Sequence, residues 1–204
     1  YARDDVFENF TSQSSLYHKG KRLGTLKLQV PGKHNILNAM AAVAVGLDLD
    51  IPAKLILQAL RSYTGTGRRF ELKKEVNDIL VVEDYGHHPT EIRATLDAAK
   101  RGWPRRVVCI FQPHRYTRTY HLLDQFAKSF FFADLVVVTE IYAASEKPIP
   151  GINGAVLARR ISREHEQVVF LKDQAQIINY LKEEVKPGDV VITQGAGNIW
   201  QIGQ

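Results

Sequence analysis

From Ile79 onward, β-branched apolar runs return at intervals of roughly 20–30 residues, with stretches of helical spacing between them. The runs are Ile79–Val82, Val107–Phe111, Leu135–Thr139, Val168–Leu171 and Val190–Thr193. Helices are expected near Tyr120–Phe131, Ala155–Glu164 and Asp173–Val185, and a further helical pattern follows Pro89. A strand reached through a helix packed on its own sheet joins that sheet in parallel, by a right-handed crossover. The alternation therefore predicts an α/β fold with a mostly parallel sheet. Phe70–Lys73 and Ile79–Val82 flank the turn Val76-Asn77-Asp78, so a hairpin is expected there, with one antiparallel edge strand.

The first third of the chain reads differently. Leu16–His18 and Thr25–Val30 are expected to form a hairpin with Leu26, Leu28 and Val30 on one face. Two strands alone are marginal, so the hairpin is expected to belong to a sheet whose other strands lie outside this chain. Pro31-Gly32 ends the strand. Asn35–Leu49 is an alanine-rich helical pattern with Ile36, Met40, Val43 and Leu47 on one side and Asn35 as the expected N-cap. Pro52–Tyr63 is a second helix that opens on proline, where the missing N–H is harmless. Gly65-Thr66-Gly67 marks a boundary, giving one unit at residues 1–66 and another at 67–204. The chain starts at Tyr1 and its only methionine is Met40, so it reads as a piece of something longer.

Composition excludes several classes. Hydrophobic residues at 45% and charged residues at 24% suit a globular chain with a sizeable core. The net charge of +5 is spread over short clusters such as Arg105-Arg106 and Arg159-Arg160, which fits a solvated surface better than a nucleic-acid stripe. Cys109 is the only cysteine, so no disulfide framework or multi-cysteine metal site can form within the chain. No apolar run reaches membrane-spanning length and no signal peptide is visible. A cytoplasmic setting is expected.

Two polar runs follow strands directly. One is Glu83-Asp84-Tyr85-Gly86-His87-His88-Pro89-Thr90-Glu91, and the other is Phe111-Gln112-Pro113-His114-Arg115-Tyr116-Thr117-Arg118-Thr119. Ligands of open parallel sheets bind outside the carboxyl ends of the strands. If Ile79–Val82 and Val107–Phe111 are neighbours, then Tyr85, His87, His88, His114, Arg115 and Arg118 converge on one cleft. Arg115 and Arg118 offer planar forks that match a carboxylate. Asp84 is suited to accept hydrogen bonds from a ribose diol, while His88 has a competing role as a helix cap. Arg69, at the junction of the units, can reach a phosphate. Gly195-Ala196-Gly197 reads as a tight turn after the last strand. Asn35 and Asn38 sit one helical turn apart, so both amides can face one ligand edge. The chain lacks a Gly-x-x-x-x-Gly-Lys-Ser/Thr loop, a His-Glu-x-x-His zinc motif and a Gly-x-Ser-x-Gly elbow.

These runs, together with Tyr142-Ala143-Ala144, Pro148-Ile149-Pro150-Gly151 and Gly195-Ala196-Gly197-Asn198-Ile199-Trp200, resemble the Mur ligase family of peptidoglycan synthesis. Pro31-Gly32-Lys33-His34-Asn35-Ile36-Leu37-Asn38-Ala39 and Gly67-Arg68-Arg69-Phe70 are similar to segments of the same family. The resemblance runs the length of the chain. It implies that residues 1–66 are the last part of a central ATP-binding domain and residues 67–204 a whole C-terminal, Rossmann-like, amino-acid-binding domain. The phosphate loop, the magnesium ligands and the UDP-sugar domain would then lie upstream, with no metal ligand in this stretch.

The branch most resembled is the one that adds the first amino acid. The implied reaction is ATP-dependent ligation of L-alanine to UDP-N-acetylmuramic acid through an acyl phosphate, with ATP and magnesium as cofactors. This stretch alone would be inactive. Asn35 and Asn38 would contact adenine with His34 nearby, Arg69 the ATP phosphates and Asp84 the ribose. Tyr85, His87, His114, Arg115 and Arg118 would line the site for alanine and the acyl group, and a neutral histidine would help take the amine proton. Glu83 and Asn198 depart from the family pattern, which favours aspartate at both places. The rival readings are a sibling ligase that adds a peptide to the same UDP-sugar and a non-catalytic nucleotide-binding module.

Overall fold

The computed structural model describes all 204 residues, which divide into two compact units. One comprises Tyr1–Thr66 with Asp97–Pro104, and the other Gly67–Leu96 with Arg105–Gln204. Residues 97–104, which the sequence boundary leaves in the second unit, thus group with the first. The reason is local: Trp103 packs edge-on against Phe10 at 4.5 Å, and the Asn9 N–H donates to the Gly102 carbonyl at 3.1 Å.

In the first unit, β1 (Ala2–Glu8), β2 (Thr11–His18) and β3 (Lys21–Leu28) form an antiparallel sheet in that order. The sequence reading missed β1 and sought the hairpin's partner outside the chain. A bulge hides the strand. Asp4 adopts φ 59°, the register slips between Arg3 and Val6, and the apolar alternation is lost. Leu16, Leu26 and Leu28 pack with Ile36, Ala39 and Val43 of α1 (Lys33–Asp48) and Ile56 of α2 (Ala53–Ser62). Helix α1 starts before Asn35, with Gly32 at the cap in a left-handed conformation (φ 96°). Asn35 is therefore in the first turn, and its Nδ2 donates back to the Pro31 carbonyl at 2.7 Å.

The second unit is a six-stranded sheet ordered β4 (Glu71–Val76), β5 (Ile79–Asp84), β9 (Asp189–Gln194), β6 (Arg106–Phe111), β7 (Leu135–Val138) and β8 (Val168–Phe170). Only β4, at the edge, is antiparallel to its neighbour. Val107–Phe111 and Val136–Val138 have no accessible surface, as expected for parallel strands covered on both faces. The supporting helices are α3 (Pro89–Gly102), α4 (Tyr116–His121), α5 (Leu123–Ala127), α6 (Gly154–Ile161) and α7 (Gln174–Glu184), and a 3-10 turn, Ile199–Gly203, follows β9. Asn153 and Asp173 cap α6 and α7 through the Val156 and Gln176 N–H groups, each cap contributing about 1 kcal/mol. No helix is long and apolar enough to cross a membrane.

Two expectations are corrected. β5 and β6 are not neighbours, because β9 lies between them and pairs with both. Gln194 stands opposite Asp84 on one side and Phe111 on the other, so three loops leave the sheet at one level. The helix expected at Tyr120–Phe131 is two short helices meeting at Leu122, the first of which starts earlier. Its start is set from 29 residues away, where Glu146 accepts the Thr117 N–H at 3.0 Å and the Thr117 hydroxyl at 2.7 Å.

Candidate functional site

The loop after β9 ties the loops on either side to it. The Gln112 N–H donates to the Gln194 carbonyl, and the Gly195 N–H to the Asp84 carbonyl, both at 3.0 Å. The Gln112 side chain donates to Asn198 Oδ1 at 2.9 Å and accepts from the Ile199 N–H at 3.2 Å. Arg68 pairs through Nε with Glu83, and its Nη2 lies 3.3 Å from the carbonyl oxygens of Gly195 and Gly197. Gly197 cannot carry a side chain here, since a Cβ would lie 2.7 Å from the Tyr142 ring.

On the β5 side, Asp84 differs from its expected part as a ribose acceptor. It is 5% exposed, and its carboxylate accepts from the Phe70 N–H (3.0 Å), the Gly86 N–H (2.7 Å), the Thr95 hydroxyl (3.1 Å) and Gln194 Nε2 (3.1 Å). Burial raises its pKa above the ordinary carboxylate value, against the pull of those donors. Asp84 braces the loop, with three donors on Oδ1 and one on Oδ2.

Two guanidiniums approach the Tyr85 ring, Arg68 at 4.9 Å and Arg69 at 5.4 Å from its centroid. Glu91 receives Arg69 on one oxygen (3.2 Å), and the His87 and His88 N–H groups on the other (2.9 and 3.0 Å). Burial works to raise the Glu91 pKa, but these donors hold it below the usual value. His88 Nδ1 accepts the Thr90 N–H at 3.3 Å, which is the capping role. His87 Nδ1 sits 3.0 Å from the Tyr85 carbonyl. A carbonyl only accepts, so Nδ1 is the donor of this bond, and in the neutral ring Nε2 is the basic nitrogen.

On the β6 side, Arg118 Nη1 lies 3.2 Å from both His114 Nδ1 and the His114 carbonyl. A guanidinium only donates, so His114 Nδ1 accepts and its ring proton is on Nε2. The His114 ring is 5.5 Å from that of His87 and stacks on Tyr142 at 5.6 Å. Arg115 adopts φ 74°, and its half-exposed side chain lies 3.9 Å from Glu146. The His114 pKa is lowered first by burial, then by the charges of His87, Arg118 and Arg115.

The sign of this shift gives a prediction. The folded state protonates His114 less readily than the unfolded chain does. Its contribution to stability is therefore full above the ordinary value of ~6.5, and is lost as pH falls from there through the folded value. By NMR the His114 ring is expected to titrate below ~6.5, and Arg118→Ala to move it upward. A titration at the ordinary value, unmoved by the substitution, would contradict the geometry.

Tyr85, His87, His114 and Arg118 thus belong to one polar surface, with Arg69 and Arg115 at its sides. His34, Asn35 and Asn38 belong to the first unit, where Asn38 is exposed and Asn35 is tied to Pro31. The sequence reading gave no part to Gln112, Tyr142 or Glu146. A polar residue that directly ends an apolar strand, as Gln112 does, was the available signal. No three His, Cys, Asp or Glu side chains gather to hold a metal ion.

Residues 68–197, more than half of the chain, match the family described as Mur ligase, glutamate ligase domain. The chain belongs to the Mur ligase family. This Mur ligase chain is 50% identical over 204 residues to the UDP-N-acetylmuramate–L-alanine ligase of Geotalea uraniireducens, covering 100% of itself and 44% of that protein. It superposes on the UDP-N-acetylmuramate–alanine ligase of Thermotoga maritima with a TM-score of 0.83 at 31% identity, covering 99% of this chain and 43% of that one. For the murein peptide ligase of Psychrobacter arcticus the TM-score is 0.64 at 27% identity, covering 98% and 42%. The chain spans less than half the length of the curated relatives it matches.

Proposed function

We propose that this chain is part of an ATP-dependent ligase that joins L-alanine to UDP-N-acetylmuramic acid through an acyl phosphate. The observation that carries the reading is a pair of imidazoles 5.5 Å apart, one held through His87 Nδ1 at the Tyr85 carbonyl and the other through His114 Nδ1 at the Arg118 guanidinium. Arg118, with Arg115 at its flank, holds the alanine carboxylate. His87 Nε2 takes the amine proton as nitrogen attacks the acyl carbon. The new C–N bond forms, the C–O bond to phosphate breaks and phosphate leaves. His114 Nε2–H donates to the acyl oxygen where negative charge develops. Tyr85, with the Arg68 and Arg69 guanidiniums against its ring, shapes the wall, and Arg69 reaches the ATP phosphates. Asn35 and Asn38, with His34 nearby, contact adenine.

Residues 1–66 are, in this reading, the end of the ATP-binding domain and 67–204 the amino-acid domain, both in the cytoplasm. Magnesium would be held outside these residues, and no step above runs through it. The test is phosphate release by the full-length protein with ATP, UDP-N-acetylmuramic acid and either L-alanine or the tripeptide that a peptide-adding sibling would use. Alanine-dependent release is expected, with none from the 204-residue chain alone. Release with the tripeptide only would select the sibling, and release with neither would reject the ligase reading.

A further inference from the structure

We propose that Tyr142 sets the size limit on the amino acid, by closing off a cavity that would otherwise admit a longer side chain. The inference deepens the alanine-ligase reading and rests on it. One face of the Tyr142 ring stacks on His114, with the planes only 8° apart. Its backbone is pinned on both sides: the Tyr142 N–H donates to the Pro113 carbonyl at 2.8 Å, and its carbonyl accepts the Arg115 N–H at 2.9 Å. Gly197 leaves room for the ring, as a Cβ there would meet it at 2.7 Å. The aromatic ring is therefore held in place against His114, the proposed donor to the acyl oxygen, which in turn bonds Arg118 of the carboxylate clamp.

The same residue lines a cavity of about 300 Å³ at the carboxyl ends of β6, β7 and β9. That is on the order of ten water volumes, enough for several side-chain atoms. Its other walls include Gln112, Asn198, Glu140, Asp173 and Lys172. Because Arg118 and His87 both adjoin His114, whose ring stacks on Tyr142, a side chain longer than a methyl group on an amino acid held there is directed to the Tyr142 ring. Without the ring, the cavity joins the site. Two carboxylates against one ammonium, with the neutral amides of Gln112, Gln174 and Asn198, would favour a long neutral polar or cationic side chain over an acidic one.

The test uses the full-length protein and compares kcat/KM for L-alanine, L-glutamine, L-lysine and L-glutamate in the wild type, Tyr142→Phe, Tyr142→Ala and Tyr142→Leu. Ratios between substrates are read, because the ring also supports His114 and overall rate will fall when it is cut. The wild type and Tyr142→Phe are expected to prefer alanine strongly. Tyr142→Ala should narrow the preference over glutamine and lysine at least tenfold, chiefly through lower KM for those two, while glutamate gains less. Tyr142→Leu, which keeps an apolar side chain, carries the test if the smaller variant does not fold. Ratios within twofold of the wild type in the shortened variants overturn the proposal, as does an equal gain for glutamate. A wild type that turns over no L-alanine overturns the underlying reading, whereas alanine turnover with unchanged ratios overturns Tyr142 alone.

Discussion

Arg118→Ala in the full-length protein is expected to reduce kcat/KM for L-alanine by ~30- to 1,000-fold, mostly through KM, and to leave the KM for ATP within about threefold. The estimate follows from removing one partner of a hydrogen-bonded charge pair, which costs about 2–4 kcal/mol, or one to three powers of ten in rate. The guanidinium is half-buried and anchored by the carbonyl and Nδ1 of His114, so its fork is oriented before any ligand arrives. Arg118→Lys should recover only part of the loss, since an ammonium keeps the charge without the planar fork. His87→Ala supplies the contrast within the same experiment. It should lower kcat by ~10²–10⁴-fold, as expected for a lost proton acceptor, with a smaller change in alanine KM. Steady-state phosphate release against alanine concentration separates the two patterns. Unchanged alanine kinetics in Arg118→Ala would remove the carboxylate clamp from the mechanism.

Asp84→Ala is expected to destabilise the second unit by on the order of 3–5 kcal/mol. The substitution leaves four donors without an acceptor: the N–H groups of Phe70 and Gly86, the Thr95 hydroxyl and Gln194 Nε2. Each sits in a buried pocket where water cannot readily replace the carboxylate. Gln194 also accepts from Cys109 Sγ at 3.7 Å, so the loss propagates to the middle of the sheet. Asp84→Asn should cost less, because it keeps the shape and one oxygen, though its amide must face donors. Denaturant unfolding of the chain, followed by tryptophan fluorescence and circular dichroism, measures both. A loss below about 1 kcal/mol for the alanine variant would mean that the four bonds contribute little net stability. The assignment of Asp84 as a brace would then fall.

The sheet was legible because five β-branched runs alternate with helical spacing, and each became a parallel strand within a residue or two. Strand order was not legible. A right-handed crossover fixes the hand of a connection but not how many places it skips, so nothing local says that Asp189–Gln194 inserts between Ile79–Asp84 and Arg106–Phe111. The convergence of His87 with His114 was expected for strands in contact and instead spans β9. Residue identity pointed to Tyr85, His87, His114 and Arg118, whose groups are chemically conspicuous. It did not point to Glu146 or Gln112, whose importance comes from partners 29 and 86 residues away. A carboxylate after a strand suggests a ligand, whereas the bracing bonds of Asp84 come from Phe70, Thr95 and Gln194, which nothing in the local sequence announces. β1 escaped notice because a single bulge erases the period on which the reading depends.

The central position of β9 also bears on how such a chain is made. Its last residue hydrogen-bonds a partner 110 positions earlier. A ribosome therefore releases β5 and β6 long before the strand that joins them emerges. Until then, each presents an open edge able to recruit a strand from another nascent chain. The polar surface that joins His87 to His114 cannot preform, and its assembly must await a slow, distant pairing. Premature termination ahead of Asp189 would leave two sticky half-sheets, a fate better described as aggregation than as partial activity.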